Sequence, residues 1–347
     1  MTFESMKNLF LFLLFLITTS CYGQVLRKRT TLLMGGRFDI SIVAEDSLTA
    51  EQNIDTCIKE ISRIEFLISD WKPESQVSEV NRNAGIKPVK VDREVFDLTE
   101  QALQLSRETD GMFDISFAAM EKIWKFDGSM KTMPSPEVVK NSVAKVGYKN
   151  IVLDSLNCTI FLKLQGMKIG FGALGEGYAG DRCTALMQAR GIKAGIINAT
   201  GDMATWGKQP NGRRWSIGVT NPFNPDTIFS VLKLHNKAMV TSGSYQKYAL
   251  IDGKRYAHII NPKTGYPASG LISVSVTGPS AGQANGFSTA MMAMGKEKAL
   301  AFIKQYPDYQ YILITDQGQV IASRKLGIRV RKLNNSPSKF DLWTDTM

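Results

Sequence analysis

Proton transfer near neutral pH has few carriers in this chain, because only His235 and His258 are histidines among its 347 residues. His258 lies in Arg255-Tyr256-Ala257-His258-Ile259-Ile260-Asn261-Pro262-Lys263-Thr264-Gly265, where a strand pattern runs into a Pro/Gly turn. A side chain at such a scaffolded edge either acts as a general base on a substrate or serves the turn itself. His235 ends Val231-Leu232-Lys233-Leu234 before Asn236-Lys237 and reads as a surface turn residue.

The segment Gly170-Phe171-Gly172-Ala173-Leu174-Gly175-Glu176-Gly177-Tyr178-Ala179-Gly180-Asp181 reads as the passage from a strand into a helix. Its glycines permit a tight turn, and free N–H groups at a helix start attract phosphate. It is neither a P-loop nor a Rossmann fingerprint, since the P-loop lysine and the strict glycine spacing are missing. Helix packing is the other use for such glycines. Further on, Asn285, Ser288 and Thr289 stand at i, i+3 and i+4 and share one helix face. Their oxygens suit a hard cation such as Mg²⁺, or they form an outer polar face.

These groups need elements to hold them. Residues 32–43 have strand character, with a Gly35-Gly36 pair that allows close approach. Ile54, Ile58, Ile61, Ile64 and Leu67 recur at helical spacing and predict a helix over 49–69 that delivers its end to Ser69-Asp70-Trp71. Further helices are expected over 93–107, 136–146 and 176–190, the last stopped by Gly191. Paired short strands are expected over 148–163. From Ala194 onward short strands crowd together, over 195–198, 215–219, 227–234, 238–241, 248–251, 256–260 and 272–277. A long helical region over 283–305, broken at Gly295, precedes a last hairpin over 309–323. Helices and antiparallel strands alternate without regular βαβ units, so the fold class is α+β, layered, in two closely packed halves.

With 44% hydrophobic and 21% charged residues the chain has the balance of a globular protein with a substantial core. Its net charge of +10 is scattered, with no basic helix face interleaved with aromatics, so no nucleic-acid partner is expected. Residues 8–19, NLFLFLLFLITT, follow Lys7 and are too short for a comfortable bilayer span; they read as the apolar part of a signal peptide. Cleavage after Gly23 would leave a domain over 24–330 and a loosely docked tail over 331–347. Lipidation of Cys21, giving a membrane anchor, is the second reading of the same segment. Either way the protein is expected to be exported, periplasmic in the first case. Cys57, Cys158 and Cys183 lack metal-ligand spacing and read as separate buried thiols.

Taken together, these segments resemble the ApbE family, the FAD:protein FMN transferases. The likeness runs through Met34-Gly35, Ser69-Asp70-Trp71, Asp110-Gly111-Met112-Phe113-Asp114-Ile115, the Gly170 segment, Asn198-Ala199-Thr200-Gly201-Asp202, Thr241-Ser242-Gly243-Ser244-Tyr245, residues 258–265 and Ala284-Asn285-Gly286-Phe287-Ser288-Thr289-Ala290. The resemblance implies a T-fold-related architecture with the flavin between its halves. It implies Mg²⁺-dependent cleavage of FAD and transfer of FMN to a Thr or Ser of an exported or membrane protein acceptor, releasing AMP. By the same resemblance Met34, Trp71, Met112, Phe113, Asp114 and Ile260 would line the FAD site, and Ala173, through its backbone, would join Asn285, Ser288 and Thr289 at the metal. His258 would take the proton of the acceptor hydroxyl.

The chain also departs from the family pattern. Gly170, Ala173, Gly175 and Glu176 stand where the family reads Asp, Gly, Ala and Lys, and Asn261 and Asn285 stand where it reads Asp. Asn285 keeps an oxygen ligand but loses a charge, so Mg²⁺ is expected to bind more weakly. Glu176 is expected beside the cofactor, either taking over the electrostatic task of the missing carboxylates or serving as a first-turn carboxylate favoured by the helix dipole. Two other functions remain open on these departures: a flavin carrier that has lost transfer, and hydrolysis of FAD to FMN and AMP.

Overall fold

A computed structural model describes residues 23–245 and 247–328. The expected leader up to residue 22, Cys21 included, and the expected tail over 331–347 lie outside the described residues. The chain opens with β1 (Val25–Leu33) and β2 (Gly36–Ala44), paired antiparallel. Met34 (φ 52°) and Gly35 (φ 77°) turn between them, so the strand expected over 32–43 is a hairpin. Two successive positive φ values match the twist of the flanking strands. The turn escapes sequence reading because Met is an unusual occupant of left-handed backbone.

Helix α1 (Ser47–Ile68) follows, capped by the Asp46 carboxylate, which accepts from the Thr49 N–H at 2.8 Å. Then come α2 (Gln76–Arg82), β3 (Val89–Lys90), α3 (Arg93–Glu108), a 3₁₀ turn over Ile115–Ala119, α4 (Pro136–Ser142), β4 (Ile151–Asp154) and β5 (Thr159–Leu162). After an irregular stretch come α5 (Gly175–Ala189), β6 (Ala194–Ala199), β7 (Asp202–Trp206), β8 (Trp215–Asn221), β9 (Asn224–Leu234) and β10 (Ala238–Gly243). The chain continues through β11 (Tyr248–Ile251), β12 (Lys254–Ala257), β13 (Leu271–Gly278), α6 (Ala281–Met294), α7 (Lys296–Ile303), β14 (Gln310–Thr315) and β15 (Val320–Ala322). Helix α2 and strand β7 have no counterpart in the expected elements. Gly295 (φ 75°) separates α6 from α7, as expected.

The centre is an eight-stranded antiparallel sheet in the order β1-β2-β6-β7-β10-β13-β14-β15. Alternation along its strands supplies two cores. In β14, Tyr311 and Leu313 join the large core that includes Ile54, Ile61, Ala284 and Phe287 of α1 and α6, while Ile312 and Ile314 join Ile217, Val219, Phe229 and Leu232 of the β8–β9 ribbon. The sheet is therefore covered by helices on one face and by the ribbon on the other. A third, smaller core joins Trp124 and Val139 to Ala249, Ile251 and Ile260. It ties the segment around α4 to the β11–β12 hairpin.

Cys57 and Cys183 are buried side by side, the Cys183 thiol 3.7 Å from the Cys57 carbonyl, whereas Cys158 is half-buried. All three are free thiols, as expected, and only the expected burial of Cys158 is corrected. Among the described residues no helix is long and apolar enough to cross a membrane.

Candidate active site

The Gly170 segment does not follow a strand directly, because β5 ends at Leu162 and residues 163–174 are irregular. What holds the approach is Asn81 of α2, whose amide donates to the Ile169 carbonyl and whose Oδ1 accepts the Ile169 N–H, at 2.9 and 2.8 Å. The glycines divide by task. A Cβ on Gly177 would stand 2.5 Å from the Ala281 carbonyl oxygen, and one on Gly175 would stand 2.8 Å from Ile68, so these two let α5 pack closely. Gly172 has nothing within 4 Å and faces open space. No side chain caps the start of α5.

That open space belongs to a cavity of about 910 Å³, within the size range of ligand pockets. One wall comes from the sheet: Thr200 to Met203 at the β6–β7 turn and Thr241 to Gly243 of β10. Further wall comes from residues 112–115 and from His258, Ile259 and Ile260 beyond β12. Gly172, Ala173 and Glu176 line it at the start of α5, and Asn285 and Thr289 line it from α6. A second cavity, about 860 Å³, lies between α3, α5 and the start of α6 and is lined by Gln101, Gln104, Gln188 and Gln283, with none of the expected site residues.

Oxygen atoms gather where α6 meets β10 and the head of β7. Asn285 and Ser288 are buried, at 7% and 0% exposure, so they do not form the outer polar face that was one reading of their spacing. All of α6 but Gln283, Thr289 and Met294 is buried, and its polar residues meet partners. The Asn285 amide donates to the Asp202 carboxylate, and the Thr289 hydroxyl lies 3.4 Å from Asn285 Oδ1. Ser242 Oγ bridges Ser288 Oγ at 2.8 Å and Thr289 Oγ1 at 3.4 Å. Ser288 itself is off the cavity wall, beneath Ser242.

Asp202 was missed as a site residue, although it closes the quoted run Asn198-Ala199-Thr200-Gly201-Asp202. Thr200 (φ 52°) and Gly201 (φ 113°) make the turn that brings it to the head of β7. Burial first, and then the nearby Glu176 and Asp181, push its carboxyl well above the usual carboxylate range, while the Asn285 amide opposes this. Glu176 is likewise raised by burial and held by the Thr200 hydroxyl, which donates to it. The carboxylate in contact with Asn285 is thus Asp202, not Glu176. Among the described residues neither carboxylate forms an ion pair.

His258, also on the cavity wall, directly follows β12, and its Nδ1 lies 3.2 Å from the Lys247 carbonyl. A carbonyl only accepts, so Nδ1 carries the proton and Nε2 is left as the base. Burial lowers the His258 pKa below its ordinary value, as does the Lys247 charge, while the bond to the Lys247 carbonyl opposes them. The turn beyond it is anchored twice: Lys263 Nζ reaches Asp110 at 2.6 Å, and the Trp124 indole donates to the Gly265 carbonyl at 2.9 Å.

Of the remaining expected residues, Met112, Phe113, Asp114 and Ile260 line the cavity. Asp114 has both oxygens engaged, by Ser116 and by the Tyr148 N–H at 2.7 Å, so its charge holds the loop. Met34 and Trp71 lie off the wall. Met34 is buried beside Gly175, and Trp71 is 56% exposed next to Gly35. Sequence spacing could not separate a wall residue from its neighbour in this hairpin, because the turn at Met34-Gly35 was not legible.

Fold and cavity together define an α+β protein with a nucleotide-sized cleft whose wall carries a cluster of oxygen groups and an oriented histidine. The chain belongs to the ApbE family, whose model matches residues 34–313. It is 28% identical over 314 residues to an FAD:protein FMN transferase of Klebsiella pneumoniae, covering 90% of this chain and 96% of that protein. An FAD:protein FMN transferase of Buchnera aphidicola is 31% identical over 247 residues, covering 70% of this chain and 72% of that protein. The crystal structure of the ApbE protein of Thermotoga maritima superposes with a TM-score of 0.79 at 26% identity, covering 87% of this chain and 98% of that one.

Proposed function

We propose that this chain transfers FMN from FAD to a Thr or Ser hydroxyl of an acceptor protein, with release of AMP. The observation that carries the reading is one cavity whose wall holds both His258 and the oxygen groups of Asp202, Asn285 and Thr289. In the reaction a bond forms between the acceptor oxygen and the FMN phosphorus, and the bond from that phosphorus to the bridging oxygen breaks. AMP leaves with the bridging oxygen. His258 Nε2 accepts the acceptor's proton, its ring fixed by the Lys247 carbonyl. Met112, Phe113 and Ile260 offer apolar surface to the flavin, with Trp71 near the Gly35 rim. Met34 supports this wall from the core.

The donor set of this oxygen cluster fits a hard cation, and Mg²⁺ belongs to the proposal. Asn285 Oδ1, Thr289 Oγ1 and the Ala173 carbonyl would hold it, with Asp202 supplying charge and Ser288 steadying the hydroxyls through Ser242. When bound, the cation neutralises diphosphate charge in a transfer that depends on alignment and electrostatics. Among the described residues no group of three His, Cys, Asp or Glu side chains surrounds a common point, so amide, hydroxyl and backbone oxygens would complete the coordination.

Export is part of the same reading. It rests on the composition of residues 8–19, which suits a signal peptide cut after Gly23, or lipid anchoring at Cys21, and would place the enzyme with periplasmic or membrane acceptors. The test is incubation of purified protein with FAD and Mg²⁺, with and without an acceptor, followed by AMP release and acceptor mass. Acceptor carrying FMN is the expected result. AMP without modified acceptor would mean hydrolysis, and intact bound FAD would mean a carrier; either overturns transfer.

A further inference from the structure

The charges of the larger cavity do not suit a diphosphate. Among the described residues four carboxylates line it, Asp70, Asp114, Glu176 and Asp202, against one ammonium, that of Lys247. The four are not equivalent. Asp70 is exposed at the rim, where water screens it. Asp114 has its oxygens engaged by three donors, and Asp202 accepts the Asn285 amide. Among the described residues Glu176 accepts only the Thr200 hydroxyl.

Position makes Glu176 the decisive one. It stands in the first turn of α5, a 15-residue helix whose start no side chain caps. The free N–H groups and the positive end of the helix dipole would there favour a phosphate, but a carboxylate already occupies that field. It is fixed by its bond to Thr200, whose own N–H is tied to the Arg37 carbonyl at 2.9 Å, and its second oxygen lies against Gly36. A diphosphate entering the cavity therefore meets a fixed anion of its own sign.

We propose that Glu176 makes tight binding of FAD conditional on a divalent cation, so that the pocket admits the cation and the dinucleotide together and rejects the dinucleotide alone. The inference rests on the flavin reading above and names what selects the bound form. Cation and FAD then raise each other's affinity by the same factor, as linkage requires. Riboflavin, which has no phosphate, should bind without regard to the cation.

The test is flavin fluorescence quenching on the full chain at about pH 8, with FAD or riboflavin, in EDTA or in saturating Mg²⁺. The expected result is FAD affinity at least about tenfold higher with Mg²⁺ and riboflavin affinity unchanged, in the usual range of coupling between two ligands. Glu176→Gln keeps the side-chain size and a partner for Thr200, and should reduce the Mg²⁺ effect several-fold by strengthening binding in EDTA. Glu176→Lys should reduce it further. Equal FAD affinity in EDTA and Mg²⁺, or an undiminished Mg²⁺ effect in both variants, overturns the inference and leaves the flavin reading standing. Failure of FAD and riboflavin to bind under every condition overturns both.

Discussion

Asn285 and Asp202 meet side chain to side chain across the interface between α6 and the head of β7, the amide of one donating to the carboxylate of the other. The pair is buried, and it joins a helix residue to a strand residue 83 positions earlier in the chain. Asn285→Asp would replace the donor by a second carboxylate against the first. Without a cation, the variant should lose roughly 1–3 kcal/mol of stability, the cost of an uncompensated buried polar group. Saturating Mg²⁺ should restore most of it, because a cation bound to the folded state stabilises by mass action. Thermal unfolding in EDTA and in Mg²⁺ checks this; an equal loss in both would show that the second carboxylate does not face a cation site.

His258 should act as a base across the neutral range. Its pKa lies below the ordinary 6.5, chiefly through burial, so the imidazole is neutral at pH 7 and gains its proton only in acid. Transfer activity should therefore be flat above about pH 6.5 and fall on the acid side, with the limb below the free histidine value. Lys247→Met removes a charge that disfavours the imidazolium and should move that limb upward. A pH profile of kcat/KM in both proteins decides it. His258→Gln should lower kcat by roughly 10²- to 10⁴-fold, the usual contribution of a general base.

What sequence reading recovered follows the physics of each element. Helix α1 was legible because its apolar residues fall on one stripe, and the 283–305 helical region because Gly295 marks its break. The β6–β7 hairpin was half-read: β6 alternates clearly, but Thr200 in left-handed backbone hides the turn and with it strand β7 and Asp202. Helix α6 misled in a different way. Buried nearly all round, with Gln283 its exposed residue, it shows no clear polar stripe, so Asn285 and Ser288 had two readings until Asp202 and Ser242 supplied their partners. The balance between Glu176 and Asp202 was beyond sequence, since it depends on which carboxylate the folded chain sets beside Asn285.

Phe287 is the apolar counterpart of Asn285 on the same helix. It is fully buried, with the rings of Tyr306, Tyr309 and Phe302 at 4.4, 4.9 and 5.2 Å between centroids. Phe287→Ala should cost about 3–5 kcal/mol, through lost burial and the cavity left among those rings. Urea unfolding measures it. A loss below about 1 kcal/mol would mean that the aromatic cluster collapses onto the gap.

The two tasks of the Gly170 segment can be separated by adding one methyl group at a time. At Gly177 a Cβ would stand 2.5 Å from the Ala281 carbonyl oxygen, which is backbone and cannot rotate away. Asp181 prevents easy retreat, since its carboxylate accepts from the Ala281 and Gly282 N–H groups at 2.8 and 3.0 Å and clamps α5 to the start of α6. Gly177→Ala should therefore destabilise by about 1–3 kcal/mol, the range for overpacking. It should also weaken Mg²⁺ binding, because Ala173, in the turn that leads into α5, and Asn285, on α6, line the cavity from the two elements being forced apart. At Gly172 nothing lies within 4 Å, so Gly172→Ala should leave stability within about 0.5 kcal/mol of the parent. If the open wall at Gly172 is where the dinucleotide lies against backbone, the same methyl should weaken FAD binding while riboflavin binding is spared. Urea unfolding and flavin titration of both variants test this division. Equal destabilisation by the two substitutions would mean that all the glycines serve packing alone.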